Sequence, residues 1–461
     1  MQQNQTDALG KEQVSKLLFK LSVPAIVAQI INLLYNLVDR MYIGHIEGVG
    51  KLALTGVGVC FPLIMIITAF SSFVSMGAAP RASIYLGMND KEKAEQTLGN
   101  SVTLLIIMSV VLTILFQVFS KNFLLMFGAS ENTLQYGLDY ILIYTLGTTF
   151  VLFTLGLNAF ITCQGDSKTS MITVVIGAVL NIILDPVFIF AFDMGVKGAA
   201  IATIISQCVS MIFVLKYLNG KKTTIRIRKK YLKLSPKIFL PCLALGISPF
   251  IMQSTESLIA VCFNSSLFKY GGDLAVGAMA ILTSVMQFAM LPLLGLSQGA
   301  QPIMSYNLGA KKPNRMKEVF KFLLISSLVY TVLLWTSIQL FPELFVLIFN
   351  NDPELVEFTS RALRIYMGMS WVFGIQISCQ QSFIALGNAK SSLIAALLRK
   401  IVILIPLIYI MPMLPFFGDK TTAVFVAEPV ADFLAVIFTA SLFTVQFKRV
   451  LKKLRLEISE S

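Results

Sequence analysis

Charge is what this sequence is short of. Asp, Glu, Lys and Arg make up 13% of 461 residues against 56% hydrophobic residues, a balance that excludes an ordinary soluble domain of this length. There is a single histidine, His45, and it falls outside the apolar runs. An intramembrane enzyme would need metal ligands or a nucleophile–base pair, and no such spacing is present. The cysteines are Cys60, Cys163, Cys208, Cys242, Cys262 and Cys379. They form no CxxC pair and sit in or at the ends of apolar runs, as buried small residues do and a disulfide framework does not. The net charge is +13, but the basic residues are spread over separate loops without interleaved aromatics, which argues against nucleic acid as a partner. No cleavable signal peptide is visible: Met1–Gln13 is polar and the following apolar run is too long for one.

Long apolar runs are abundant. Leu52–Pro80, Gln96–Ser120, Gly198–Leu215, Leu274–Ala310 and Phe322–Pro342 carry no charge at all, and about 20 such residues cross a bilayer core. The pattern predicts an all-α membrane protein with twelve spans, near 16–43, 53–80, 94–120, 132–163, 169–192, 196–218, 238–268, 275–308, 317–342, 357–386, 392–415 and 423–447. Leu274–Ala310 exceeds one crossing, and Pro292 and Gly295 are expected to bend or end its helix. Basic residues alternate between loops. Arg81, Lys91 and Lys93, then Lys221 to Lys237, then Lys311 to Lys317, and the tail from Lys448 to Arg455 all fall on one side. By the positive-inside rule both termini and the 219–237 linker face the cytoplasm, with anionic lipids as counter-charge. The linker is expected to stay in water, held there by its charge.

The chain repeats itself at an offset of 222 residues. Gly77-Ala-Ala-Pro80 … Ser83 … Leu86-Gly87 matches Gly299-Ala-Gln-Pro302 … Ser305 … Leu308-Gly309. Phe127 aligns with Phe349, Tyr144 with Tyr366 and Gly165 … Lys168 with Gly387 … Lys390. Upstream the offset slips to 225, where Pro24 meets Pro249. Six spans per repeat is an even number, so the halves enter the membrane in the same direction, a recurring transporter plan. The expected units are an N-lobe (1–218), the linker (219–237), a C-lobe (238–447) and a cytoplasmic tail (448–461).

Acids inside apolar spans are costly and mark function. Asp39 closes the first span and Asp185, in Asn181-xxx-Asp185-Pro186, the fifth. At 1.5 Å per residue they lie roughly 8 Å and 12 Å from the outer ends of their helices, compatible with one shared site. Asn181 and Asp185 share a helix face. Asn32 and Asn36 fall on or near the Asp39 face, and Tyr140, Asn158 and Thr203 can add neutral oxygens. Two close carboxylates can hold a proton; with amide and hydroxyl oxygens they also suit Na⁺. The competing reading pairs Asp39 with Arg40 as an interfacial anchor and makes Asp185 the cap of a bend. The second half has no twin of this set, because Asn181 and Asp185 map to Ile403 and Leu407. It supplies Glu256 instead, together with methionines such as Met286 that suit an adaptable cavity. Pro24, four turns below Asp39, is a candidate hinge. Glu428 and Asp432 are expected as an interfacial, solvated pair, and His45 as solvated.

Two parallel halves, Pro24 … Asp39, Asn181-xxx-Asp185-Pro186 and the Gly-Ala-x-Pro … Leu-Gly repeats together resemble the multidrug and toxic compound extrusion (MATE) transporters, most closely the DinF/MepA-like branch. The resemblance spans essentially the whole chain. It implies a monomeric antiporter in the bacterial cytoplasmic membrane that needs no cofactor. Such a protein exports small organic, often cationic, compounds in exchange for H⁺, favoured here, or Na⁺. It further implies that Asp39, Asn181, Asp185 and Thr203 carry the coupling cation, with Tyr140 and Asn158 nearby. The helix 10 acid of the NorM-like branch is absent from Trp371–Leu386. The alternative from a related two-lobe group is a flippase of lipid-linked oligosaccharides. That activity calls for a cavity lined by bases, whereas these spans hold little beyond Arg399 and Lys400.

Overall fold

The computed structural model describes residues 2–415 and 417–460, with side chains described from residue 6 onward. Among these residues there are helices and no strands. A short α1 (Gln2–Lys11) precedes α2 (Val14–Gly44), α3 (Gly50–Gly87) and α4 (Lys91–Met126). Then α5 (Glu131–Leu146) and α6 (Thr148–Thr162) meet at Gly147 with a 57° bend and together make one span. α7 (Ser167–Pro186) continues into a π-helical turn, Val187–Ala191, and α8 (Gly195–Asn219) completes the N-lobe.

The C-lobe opens with α9 (Pro236–Gly309), 74 residues without a loop. Drawn straight it would be about 110 Å long, far more than the ~30 Å hydrocarbon core. It breaks at Gly272 (φ 62, ψ −156), a conformation that glycine adopts without the penalty of a Cβ, and so contributes two spans. Pro292 and Gly295, expected to bend or end the helix, do not end it, and Gly295 packs against the backbone of Ile26 in α2. Following are α10 (Pro313–Leu340), α11 (Pro342–Leu347), α12 (Pro353–Tyr366) and α13 (Phe373–Ala385). α14 (Ala389–Leu397), a π-helical Leu398–Leu404 and α15 (Ile405–Ile410) form the penultimate span, and α16 (Lys420–Ser459) the last. The described residues thus make twelve crossings in two six-span lobes.

The repeat motif is where the lobes touch. A methyl group on Gly87 would lie 2.0 Å from the Tyr306 carbonyl oxygen, and one on Gly309 would lie 2.0 Å from that of Ile84. Each Leu-Gly therefore closes on its symmetry mate. Gly77 in turn meets Cys242 of α9, while Gly299 meets Ser22 of α2. Ser83 Oγ donates to the Pro302 carbonyl at 3.1 Å. These contacts join the lobes at the face where the basic loops gather.

That face is more ordered than its charge suggests. Gln164 Oε1 accepts from Thr223 Oγ1 at 2.9 Å, Thr224 N at 2.7 Å and Ile225 N at 3.1 Å. The carboxylate of Glu95 lies 2.5 Å from Arg228 Nε, and Asn100 Oδ1 accepts from Ser235 N at 2.7 Å. The linker is therefore riveted to the N-lobe rather than free in water, because Thr223, Ile225 and Tyr231 are buried between its bases. α1 spans the junction: Thr6 Oγ1 lies 2.8 Å from Thr224 Oγ1, and Asn307 and Lys312 of the C-lobe each donate at 2.8 Å, to Leu9 O and Gly10 O respectively.

Candidate cation site in the N-lobe

Asp185 precedes a proline at the foot of the π-helical turn. Pro186 has no N–H to give the Ile182 carbonyl, and π-helical turns of this kind recur at functional sites. Asn181, one turn back, donates from Nδ2 to Asp185 Oδ1 at 3.1 Å and to Thr203 Oγ1 of α8 at 3.3 Å. Thr203 passes its own hydroxyl hydrogen to Ala199 O at 3.0 Å. From α2, Asp39 turns its carboxyl group toward that of Asp185, close enough for the two to interact electrostatically. The sequence pairing of Asp39 with Arg40 does not form: Arg40 lies over the Phe61 ring at 5.1 Å.

Asp39 is 8% exposed and Asp185 not at all, so water cannot complete their hydrogen bonding from bulk. Three oxygens of the cluster, Asp39 Oδ1, Asp185 Oδ2 and Asn181 Oδ1, are buried without a partner. Buried acceptors need a donor or a cation. Tyr140 closes one side, beside Thr203 and Asp39 and stacked on Tyr144 at 5.9 Å. Tyr35, one turn before Asp39, closes another and faces both acids. A narrow cleft adjoins the cluster, lined by Asn32, Tyr35, Asn181, Thr203, Ser206 and Gln207 among others. Tyr35, Ser206 and Gln207 were not among the sequence candidates. The i, i+4 spacing of Tyr35 and Asp39 was the one available signal for Tyr35.

A model of the MatE family matches residues 24–187 and 249–410, one segment in each lobe. The chain belongs to the MatE family. It is 25% identical over 442 residues to the multidrug export protein MepA of Staphylococcus haemolyticus, covering 96% of this chain and 97% of that protein. To MepA of Staphylococcus aureus it is 26% identical over 411 residues, covering 89% and 90%. Among solved structures, a MATE protein in a bent conformation superposes with a TM-score of 0.91 at 22% identity, covering 98% and 99% of the two chains. An outward-facing multidrug resistance MATE family transporter of the MOP superfamily superposes at 0.90 and 22%, covering 97% and 98%. These structural likenesses establish the fold, a MatE transporter fold of two lobes.

The other sequence candidates scatter across the MatE scaffold. Asn36 is exposed and donates to Asn32 O at 2.6 Å, away from the acids. Asn158 donates to Ser170 O at 3.2 Å, which lies roughly 22 Å down α7 from Asp185, so it belongs to the far end of the lobe. Met286 is half-buried and packs against two apolar clusters of the C-lobe, a packing residue rather than an open cavity wall. Pro24 lies inside a helix assigned without interruption from Val14 to Gly44. His45 is exposed, with Nδ1 2.7 Å from Met41 O. Glu256 has an exposed side chain whose tip pairs with the buried Lys400. Glu428 and Asp432, expected in solvent, are 4% and 2% exposed and are held by Arg399. Their partner lies about thirty residues earlier, on the preceding span, out of reach of a local pattern.

Proposed function

We propose that this MatE transporter is an antiporter that exports small organic, often cationic, compounds across the cytoplasmic membrane while protons move inward through Asp39 and Asp185. The burial of two facing carboxyl groups, Asp39 and Asp185, in one cluster carries this reading. Two buried carboxyl groups that face each other repel when both are ionised, so the pair favours holding a proton between them. Asn181 and Thr203 orient Asp185, and Tyr35 and Tyr140 keep bulk water from the pair. The named function of the MepA relatives supports drug-like export.

The lobes rock so that their contacts at the basic face open and close, and that face lies in the cytoplasm with both termini. The linker and the N-lobe then move as one body, and the flexible joint lies near Ser235 and Pro236. The protein works as a monomer, with anionic lipids against its basic loops. A flippase of pyrophosphate-linked lipids fits less well, because Arg399 and Lys400 are both engaged with acids.

Purified protein in proteoliposomes, loaded with a fluorescent dye cation, tests the reading. A pH gradient should drive dye movement in the wild type, and Asp39→Asn or Asp185→Asn should abolish it while the protein stays folded. Strict dependence on a sodium gradient, with no response to pH, refutes proton coupling. Wild-type rates in folded Asp39→Asn refute the site.

A further inference from the structure

The C-lobe holds a second buried charge cluster, assembled from three spans. Arg399 Nη2 lies 3.1 Å from Glu428 Oε1 and 2.7 Å from Asp432 Oδ1, and its Nε donates to the same Asp432 oxygen at 2.9 Å. The guanidinium sits 5.0 Å over the Phe373 ring. Next along the π-helical segment, Lys400 donates to Met252 O at 2.9 Å and pairs with Glu256 of α9. Tyr366 of α12 faces the acids from the remaining side. The charged and titratable groups around Glu428 are thus Arg399, Lys400, Asp432, Glu256 and Tyr366.

Three carboxylates meet two bases here. With every acid ionised the cluster carries one surplus negative charge in a medium where an unpaired ion is expensive. Arg399 cannot supply more, since its single positive charge is already divided between two acids and is permanent. Lys400 is taken by Glu256. The shortfall is visible in one atom: Glu428 Oε2 is buried and has no partner. Asp432 receives two of the three guanidinium contacts and Glu428 only one, so Glu428 is the under-compensated acid.

We propose that Glu428 carries an exchangeable proton, a second cation site distinct from Asp39 and Asp185. Glu256 is the only acid of the cluster with an exposed side chain, 68% against 6% for Glu428 and 3% for Asp432. An organic cation that binds Glu256 frees Lys400 to turn to the neighbouring Glu428. Charge then balances with Glu256 on the substrate, Lys400 on Glu428 and Arg399 on Asp432, and the Glu428 proton is released. The exchange step rests on the organic-cation reading above; the resting proton does not.

Two measurements test this, both in the Asp39→Asn/Asp185→Asn background so that the N-lobe is silent. Infrared pH-difference spectra of the protein in lipid nanodiscs should retain one protonated-carboxyl band at neutral pH. Glu428→Gln should remove that band. Glu256→Gln should remove it too, because losing that acid lets Lys400 neutralise Glu428, an effect no packing role produces. Survival of the band in Glu428→Gln, or its absence before that change, overturns the proposal; so does a band that appears only when sodium is withdrawn, which would give the site to a metal cation. Ethidium added to the detergent-solubilised protein should then release up to one proton per ethidium bound, and Glu428→Gln should abolish the release while binding persists. Ethidium binding without proton release refutes the exchange step. Failure of ethidium to bind refutes the substrate class and leaves the infrared result to decide the proton.

Discussion

Gly309→Ala is the sharpest mechanical test of the two-lobe arrangement. The new methyl group would sit 2.0 Å from the Ile84 carbonyl oxygen, and ordinary contact begins at 3.4 Å, so the helices must part by about 1.4 Å. The obstacle is backbone, which cannot swing aside as a side chain would. Overpacking of this kind costs about 1–3 kcal/mol. The cost falls on the state in which the lobes close at the basic face, since an open state separates α3 from α9. The closed-to-open ratio should therefore fall about 5- to 150-fold. A cysteine at position 83 reports it, because Ser83 is fully buried in this seam beside Pro302. With the native cysteines replaced, Ser83→Cys should react with a membrane-permeant maleimide faster in Gly309→Ala by that factor. An unchanged labelling rate in a monodisperse Gly309→Ala protein would refute the assignment of this seam as the moving closure.

Glu95→Ala removes the buried acceptor of Arg226 N and Arg228; at about 1.5–3 kcal/mol for a charged hydrogen bond it should lower the thermal midpoint and expose residues 220–235 to protease, and an unaltered cleavage pattern would show that the linker is not held there. Arg315→Ala removes donors to Leu9 O at 3.3 Å and Glu12 O at 2.7 Å, so hydrogen exchange in α1 should quicken roughly tenfold or more; unchanged exchange would mean α1 is anchored elsewhere. Glu256→Gln should slow export of cationic compounds more than neutral ones, measured as dye efflux at one pH, and an equal loss for both would remove Glu256 from substrate binding.

What the sequence determined by itself was whatever depends on solvent or on near neighbours along the chain. A run of twenty apolar residues is insoluble in water wherever it folds, so the crossings could be read off directly, the joined pair in α9 included. Asn181 and Asp185 share a face because helical geometry places i and i+4 together, and the 222-residue repeat announced two like halves. What brought Asp39 to Asp185, with Tyr35 on the same helix and Thr203 arriving from α8, was tertiary packing. Asn158 shows the difference: its position on an apolar span was right, but depth along the helix put it at the other end of the lobe. Glu428, Asp432 and the basic linker looked solvated because isolated charges in a sequence carry no sign of their counter-charges. Arg399 stands about thirty residues before its acids and Glu95 more than 130 before Arg228, and only folding makes such residues neighbours. The repeat glycines had the same limit. Their recurrence was plain in one dimension, but the reason for it, two backbones closer than any side chain allows, exists only between the lobes.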